Sequence, residues 1–383
     1  MMKRRTVIAL LCGLLLGFAV PGSPQGLPQD EWAGVRRIVA VGDLHGDYDR
    51  CIEVLRAARI IDRSGNWSGG RAHLVQTGDI HDRGPHARRI LDLFMKLEKQ
   101  AERAGGRVHV LIGNHEAMNL YGDLRYVPPE AYEAFRTPES EQVRQAFYER
   151  EIEELRTKAE AAGSSFAADQ AFRAKWEQEH PPGFFEYRFA YGPNGEYGRW
   201  LRGRNAAVKI GATLFLHGGI CPKYAGMPIR TINETVRREL GDFTLLEGGI
   251  VRDGEGPLWC RELARGDEAA LAGHVDEVLR SLGASRIVIG HTPTQTAVLP
   301  RFQGKVVMID VGMSAYYGGP PACLVIENDV PWTLHRGKKL RLPADSGQGL
   351  LRYLEAAAAL DPPPSPIEKL IRELRAPAPA VKP

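Results

Sequence analysis

The sequence is poor in several features that would fix its class at once. It has 5 cysteines in 383 residues, too few for a small scaffold stapled by disulfides. Charge of one sign is not in surplus: 50 Lys and Arg face 47 Asp and Glu, a formal net charge of +3. That balance gives no support to nucleic-acid binding. Long apolar runs are missing too, because the candidate from Val7 to Val20 reaches roughly 14 residues, short of the ~20 that span a bilayer. No internal repeat of the solenoid kind is present.

What is there reads as globular, with 43% hydrophobic and 25% charged residues. The length suits one large α/β domain with an insertion, or two ordinary domains. Lys3, Arg4 and Arg5 precede the short apolar run, and Gly17-Phe18-Ala19 offers small residues for cleavage. Residues 1–19 are therefore expected to be a secretory signal peptide, giving an exported, periplasmic or secreted protein with no stable membrane insertion after cleavage. Cleavage would remove three positive charges and leave 47 basic against 47 acidic side chains. Cys12 would go with the signal, leaving cysteines at 51, 221, 260 and 323 in a compartment where some can pair.

Residues 20–34 carry Pro, Gly and Ser and read as a flexible lead-in. After them a pattern recurs in which a β-rich apolar run ends abruptly in polar, glycine-containing residues. It occurs as RIVAVGDLHGD, HLVQTGDIHDRG, VHVLIGNHE, TLFLHGG and RIVIGHT. Each polar cluster falls at the carboxyl end of a strand, the end where α/β sheets bind ligands. Helical periodicity separates some of the strands. From about 123 to 200 the chain turns charged, Ala-rich and helical, as an inserted cap whose Trp176, Phe184, Phe185 and Tyr187 are expected to pack it onto the core. The main domain is expected over 35–345, with a C-terminal helix and a Pro/Ala-rich tail over 346–383.

The strand ends supply what a binuclear metal centre needs: a carboxylate that can bridge and terminal ligands of imidazole and oxygen type. GDLH offers Asp43 and His45, GDIHDRG offers Asp79, GNHE offers Asn114, LFLHGG offers His217 and IGHT offers His291. A single GD pair is ordinarily a turn, and a single His after a strand is ordinarily a hydrogen-bonded side chain. Five such clusters in one chain favour the metal site. His73, His81, His86, His109, His180, His274 and His335 fit no ligand slot.

Taken in order, GDLHGD, GDIHDRG, GNHE, HGG and GHT resemble the motifs of calcineurin-like metallophosphoesterases, specifically the phosphoprotein phosphatase branch. GDLHGD, GPLWCRE at 256–262 and GMSAYYGG at 312–319 resemble the Shewanella-like phosphatases, and the likeness runs from about 37 to 327. It implies an α/β fold of two mixed β-sheets packed as a sandwich flanked by helices. Asp43, His45 and Asp79 would hold one metal ion. Asp79, as bridge, would hold the second with Asn114, His217 and His291. The ions would be Mn, Fe or Zn, and a hydroxide shared between them would be the nucleophile. His115 would protonate the leaving oxygen, oriented by Asp82. Arg83 offers a planar fork for phosphate oxygens, the likeness adds Arg261, and Tyr317 is a candidate for the site wall.

The implied activity is a metal-dependent protein phosphatase acting on phosphorylated protein or peptide, including phosphotyrosine. A diadenosine tetraphosphate or other nucleotide phosphohydrolase is the alternative, and an inactive metal-binding scaffold the third reading. Where eukaryotic members of the branch carry Ser-Ala-Pro-Asn-Tyr, this chain reads GMSAYYGG, so their Ser/Thr preference does not carry over. Cys221 follows HGGI and Cys260 follows GPLW; export and the closeness of those motifs to the site make a disulfide between them one reading, and two buried, unpaired cysteines the other.

Overall fold

A computed structural model describes residues 28–344 and 347–376. The signal-peptide expectation for 1–19 and the tail from 377 lie outside the described residues. Strands run at Glu31–Trp32 (β1), Arg37–Val41 (β2), His73–Gln76 (β3), Arg107–Val110 (β4), Ala207–Ile210 (β5) and Thr213–Leu216 (β6). They continue at Arg286–Ile289 (β7), Leu299–Arg301 (β8), Val306–Met308 (β9), Ala322–Glu327 (β10), Val330–His335 (β11) and Lys338–Arg341 (β12).

They form two 6-stranded sheets, ordered β1-β5-β6-β7-β9-β8 and β12-β11-β10-β2-β3-β4. The run β2-β3-β4 is parallel in one sheet and β6-β7-β9 in the other, with antiparallel partners beyond them. These central strands read RIVAV, TLFL and RIVI, nearly all buried, as parallel strands covered on both faces must be. Side chains of both sheets join one continuous apolar core. The sandwich flanked by helices, implied by resemblance, is what forms. Its consequence is that the carboxyl ends of both parallel runs converge.

Three expectations are corrected. The lead-in is not all loop: Glu31–Trp32 pairs in parallel with β5, and the Trp32 ring packs edge-on to His73 and His109. Burial of a large aromatic ring outweighs the turn-forming composition around it. The C-terminal segment holds not one helix but two, both docked, Gln348–Ala358 and Ile367–Arg375; Leu354 and Ile367 are fully buried, and the Tyr353 hydroxyl donates to the Val298 carbonyl at 2.9 Å. Helices run through the stretch 123–200 at Ser140–Ala161, Gln170–Glu179, Phe184–Tyr191 and others. Of its aromatics, however, Trp176 stacks on His180 and Phe185 on Phe147, inside the cap. Phe184 packs against the core, and Tyr187 joins it and also reaches the layer behind the site.

Candidate metal centre

The turns after the parallel strands are held in conformations that L-residues rarely adopt. His45, Asp79, Asp82, Arg83 and His291 all have positive φ, from 43° to 70°. Non-glycine residues persist there only where the surroundings over-determine them. The surroundings do: the Leu44 and His45 amides both donate to the Asp79 carbonyl, and the Asp79 and Ile80 amides donate to the Glu116 carboxylate at 2.7 Å each. Close approach also demands glycine at 290, where an added Cβ would lie 2.5 Å from Asp43 Oδ1.

Side chains of Asp43, His45, Asp79, Asn114, His115, His217 and His291 meet at this point, all buried. Two clusters of ligand atoms share Asp79, one with His45 and His115 and one with His217 and His291. Asp79 Oδ2 lies 3.2 Å from His217 Nε2 and 3.9 Å from His45 Nε2, while Asn114 Oδ1 lies 2.9 Å from His217 Nε2. Asp43 Oδ2 is 3.9 Å from His45 Nε2 on the other side. Asp79 thus stands between two groups of donors, where a bridging carboxylate belongs.

The imidazoles fit a metal in detail. His45 Nδ1 donates to the His81 carbonyl at 2.9 Å, and His217 Nδ1 to the Thr77 carbonyl at 3.0 Å. Both rings then turn Nε2 inward. His291 uses Nε2 on the Trp259 carbonyl at 3.1 Å, which leaves Nδ1. Backbone carbonyls on the outer ring nitrogens are how metal-binding histidines are usually oriented. Burial holds His45 down to about 4 and His291 well below the ordinary range, so both stay neutral. Burial with the nearby Asp310 and Asp79 raises Asp43, the charge crowding that a dication relieves.

His115 is different in kind. Burial would lower it, but Asp79 and the Asp82 hydrogen bond outweigh that and push it up to about 9. Its Nδ1 donates to Asp82 Oδ2, and its Nε2 faces Asp79 Oδ2 at 3.8 Å. His45 and His291 are pushed down while His115 is pushed up toward its protonated form, as a proton donor at the edge of the centre needs to be.

Residues 36–295 match the calcineurin-like phosphoesterase family. The chain belongs to it. Shewanella-like protein phosphatase 2 of Arabidopsis thaliana is 30% identical over 322 residues, covering 81% of this chain and 80% of that one. An uncharacterized protein of Schizosaccharomyces pombe is 32% identical, over 80% and 82% of the two chains. A cold-active protein-tyrosine phosphatase of a psychrophilic Shewanella has a crystal structure that superposes with a TM-score of 0.62 at 29% identity, over 82% and 83%. Calcineurin-like phosphoesterases use a dinuclear metal centre, and this phosphoesterase has the His and Asp groups for one.

The remaining expected residues ring this phosphoesterase's centre. Arg83 is held by two rings, its guanidinium 4.0 Å from the Tyr126 centroid and 4.9 Å from Tyr316. Among the described residues its Nε has no hydrogen-bond partner. Arg261 donates to the His291 carbonyl at 2.8 Å and to Thr292 Oγ1 at 3.0 Å, beside the second cluster. Tyr317 lies 5.4 Å from the His45 ring. The Cys221–Cys260 disulfide forms and ties the segment after His217 to the segment before Arg261.

Sequence reasoning missed a supporting layer. Glu116 is fully buried and accepts from the Asp79, Ile80 and Gly113 amides and from His81 Nδ1. Asn119 donates to Asp82, and Asp310 lies buried close to Asp43, its carboxyl raised to about 6 by burial and by Asp79. Glu116 could have been suspected from its place in GNHE. Nothing in the spacing marks Asn119, Asp310 or Tyr126.

Proposed function

We propose that this protein is an exported, metal-dependent phosphomonoesterase acting on phosphorylated protein or peptide, with phosphotyrosine preferred. The observation that carries the reading is the pairing of a cationic His115, fixed by Asp82, with a buried Asp79 shared by two ligand clusters. A phosphoester needs both a charged cradle for phosphorus and a proton for the leaving oxygen.

Asp43, His45 and Asp79 would hold one ion, and Asp79, Asn114, His217 and His291 the other; this mixed nitrogen and oxygen set accepts Mn, Fe or Zn. When bound, the ions supply Lewis acidity and lower the pKa of the attacking water. The chain does the rest. Arg83 and Arg261 direct spare guanidinium donors toward the phosphoryl oxygens. His115 Nε2 delivers its proton to the departing oxygen, while Asp82 holds the ring and offsets its charge.

Preference for an aryl ester is supported by the mouth, where Tyr126 and Tyr316 flank Arg83 and Tyr317 lies against Tyr316. It is supported also by the likeness to the Shewanella enzyme, a protein-tyrosine phosphatase. Export is supported by the N-terminal pattern and by the Cys221–Cys260 bond, since disulfides persist in oxidising compartments. Initial rates on a phosphotyrosyl peptide and its phosphoseryl counterpart test the preference. A kcat/KM ratio of at least ~10, about 1.4 kcal/mol in transition-state binding, is expected, and Tyr316→Ala should reduce it. Equal rates in the unaltered protein would refute the tyrosine preference.

A further inference from the structure

The helical insertion lies outside the candidate metal-binding motifs, yet two of its side chains end in the layer that supports the centre. Tyr187 and Tyr191 are four residues apart on the helix Phe184–Tyr191, so they share one face. Each is 2% exposed, and a buried tyrosine hydroxyl needs a partner. Tyr187 donates to Asn119 Oδ1. The Asn119 amide in turn donates from Nδ2 to Asp82 Oδ1 at 3.0 Å and to the His115 carbonyl at 2.8 Å. Asp82 accepts from His115 Nδ1 through its other oxygen.

This chain of bonds has a fixed sense. An asparagine amide can face either way, and a donor on Oδ1 locks Nδ2 toward the carboxylate. With both oxygens of Asp82 engaged, one by Asn119 and one by His115, the imidazole is aimed and Nε2 faces the reacting centre. Tyr191 runs a separate line: its hydroxyl meets His81 Nε2 at 2.9 Å, His81 Nδ1 donates to Glu116 at 2.8 Å, and Glu116 holds the Asp79 turn.

We propose that Tyr187 is a positioning residue for the proton donor His115, so that the insertion takes part in leaving-group protonation rather than serving only as a cover. The inference rests on the phosphomonoesterase reading above. The ring of Tyr187 also packs on Tyr132, Phe135 and Tyr191, at 5.1, 5.0 and 4.5 Å between centroids. A phenylalanine keeps that packing and removes only the hydroxyl.

The test is kcat and KM for Tyr187→Phe in the full chain loaded with manganese. The substrates are 4-nitrophenyl phosphate, phenyl phosphate and a phosphoseryl peptide, in order of increasingly basic leaving oxygen. General-acid catalysis contributes ~10² to 10⁴ in rate and matters most for the poorest leaving group. The loss of kcat on the phosphoseryl peptide should exceed that on 4-nitrophenyl phosphate by about tenfold or more, with KM little changed. Tyr191→Phe should weaken manganese binding in calorimetry and lower all three rates alike. Equal losses across the three esters for Tyr187→Phe, no loss, or a lower melting temperature with the leaving-group dependence unchanged would each overturn the inference while leaving the phosphatase reading standing. An unaltered protein that binds manganese yet cleaves none of the esters would overturn both.

Discussion

Replacing Glu116 by glutamine is the sharpest perturbation of the centre that leaves every candidate metal ligand in place. The carboxylate is fully buried and accepts four hydrogen bonds between 2.7 and 2.8 Å. Oε1 serves the Ile80 amide and His81, while Oε2 serves the Asp79 and Gly113 amides. Glutamine has one carbonyl oxygen: with its NH2 on the Oε2 side the Asp79 and Gly113 amides are stranded, and with it on the Oε1 side the Ile80 amide is, since His81 can change tautomer and accept. A stranded buried donor costs about 1–3 kcal/mol, so with the cheaper orientation adopted a loss near ~2 kcal/mol is expected. Some relief comes from removing a negative charge near Asp79 and Asp43. Loss should still dominate, because the Asp79 turn sits at a φ of 61° and is held there largely by this carboxylate. Urea unfolding of the metal-free protein measures the stability, and manganese calorimetry reads the geometry of Asp79. A change below about 1 kcal/mol, or a large loss with manganese affinity unaltered, would refute the claim that Glu116 sets the bridging turn.

Two further outcomes follow from the same structure. Replacing Cys221 and Cys260 together by serine opens a link across 39 residues, for which the chain-entropy relation gives about 4 kcal/mol. Guanidinium unfolding should show most of that loss, and a change under ~1 kcal/mol would contradict it. In the metal-free protein His115 should titrate near 9, held up by Asp79 and Asp82. Because the folded value is raised, its stabilising contribution is complete below ~6.5 and disappears as pH rises through the folded value. Metal loading should lower the titration by bringing cations close. NMR of the ring carbons reads this, and an unshifted value near ~6.5 without metal would be the contrary result.

The candidate ligands were legible as a group because strand ends carry them in short local motifs: Asp43 and His45 in GDLH, or His291 in IGHT, sit beside the apolar run that places them. His115 was legible for the same reason. The supporting layer was not, because its bonds join residues distant in sequence. Tyr187 meets Asn119 across 68 residues and Tyr191 meets His81 across 110, and no local pattern records either pairing. His81 looked unassigned as a lone imidazole and proves to orient Glu116. Trp32 shows the opposite failure, since turn-forming neighbours concealed a two-residue strand fixed by ring packing.

The most direct test of the account is phosphate release from a phosphotyrosyl peptide by the manganese-loaded protein, beside Asp79→Asn and the metal-stripped protein, with bound manganese counted in each. Two ions per chain in the unaltered protein, release that vanishes on stripping and returns with manganese, and release lost in Asp79→Asn are the results expected. Release that survives stripping or the Asp79→Asn change would contradict a centre built on a shared Asp79.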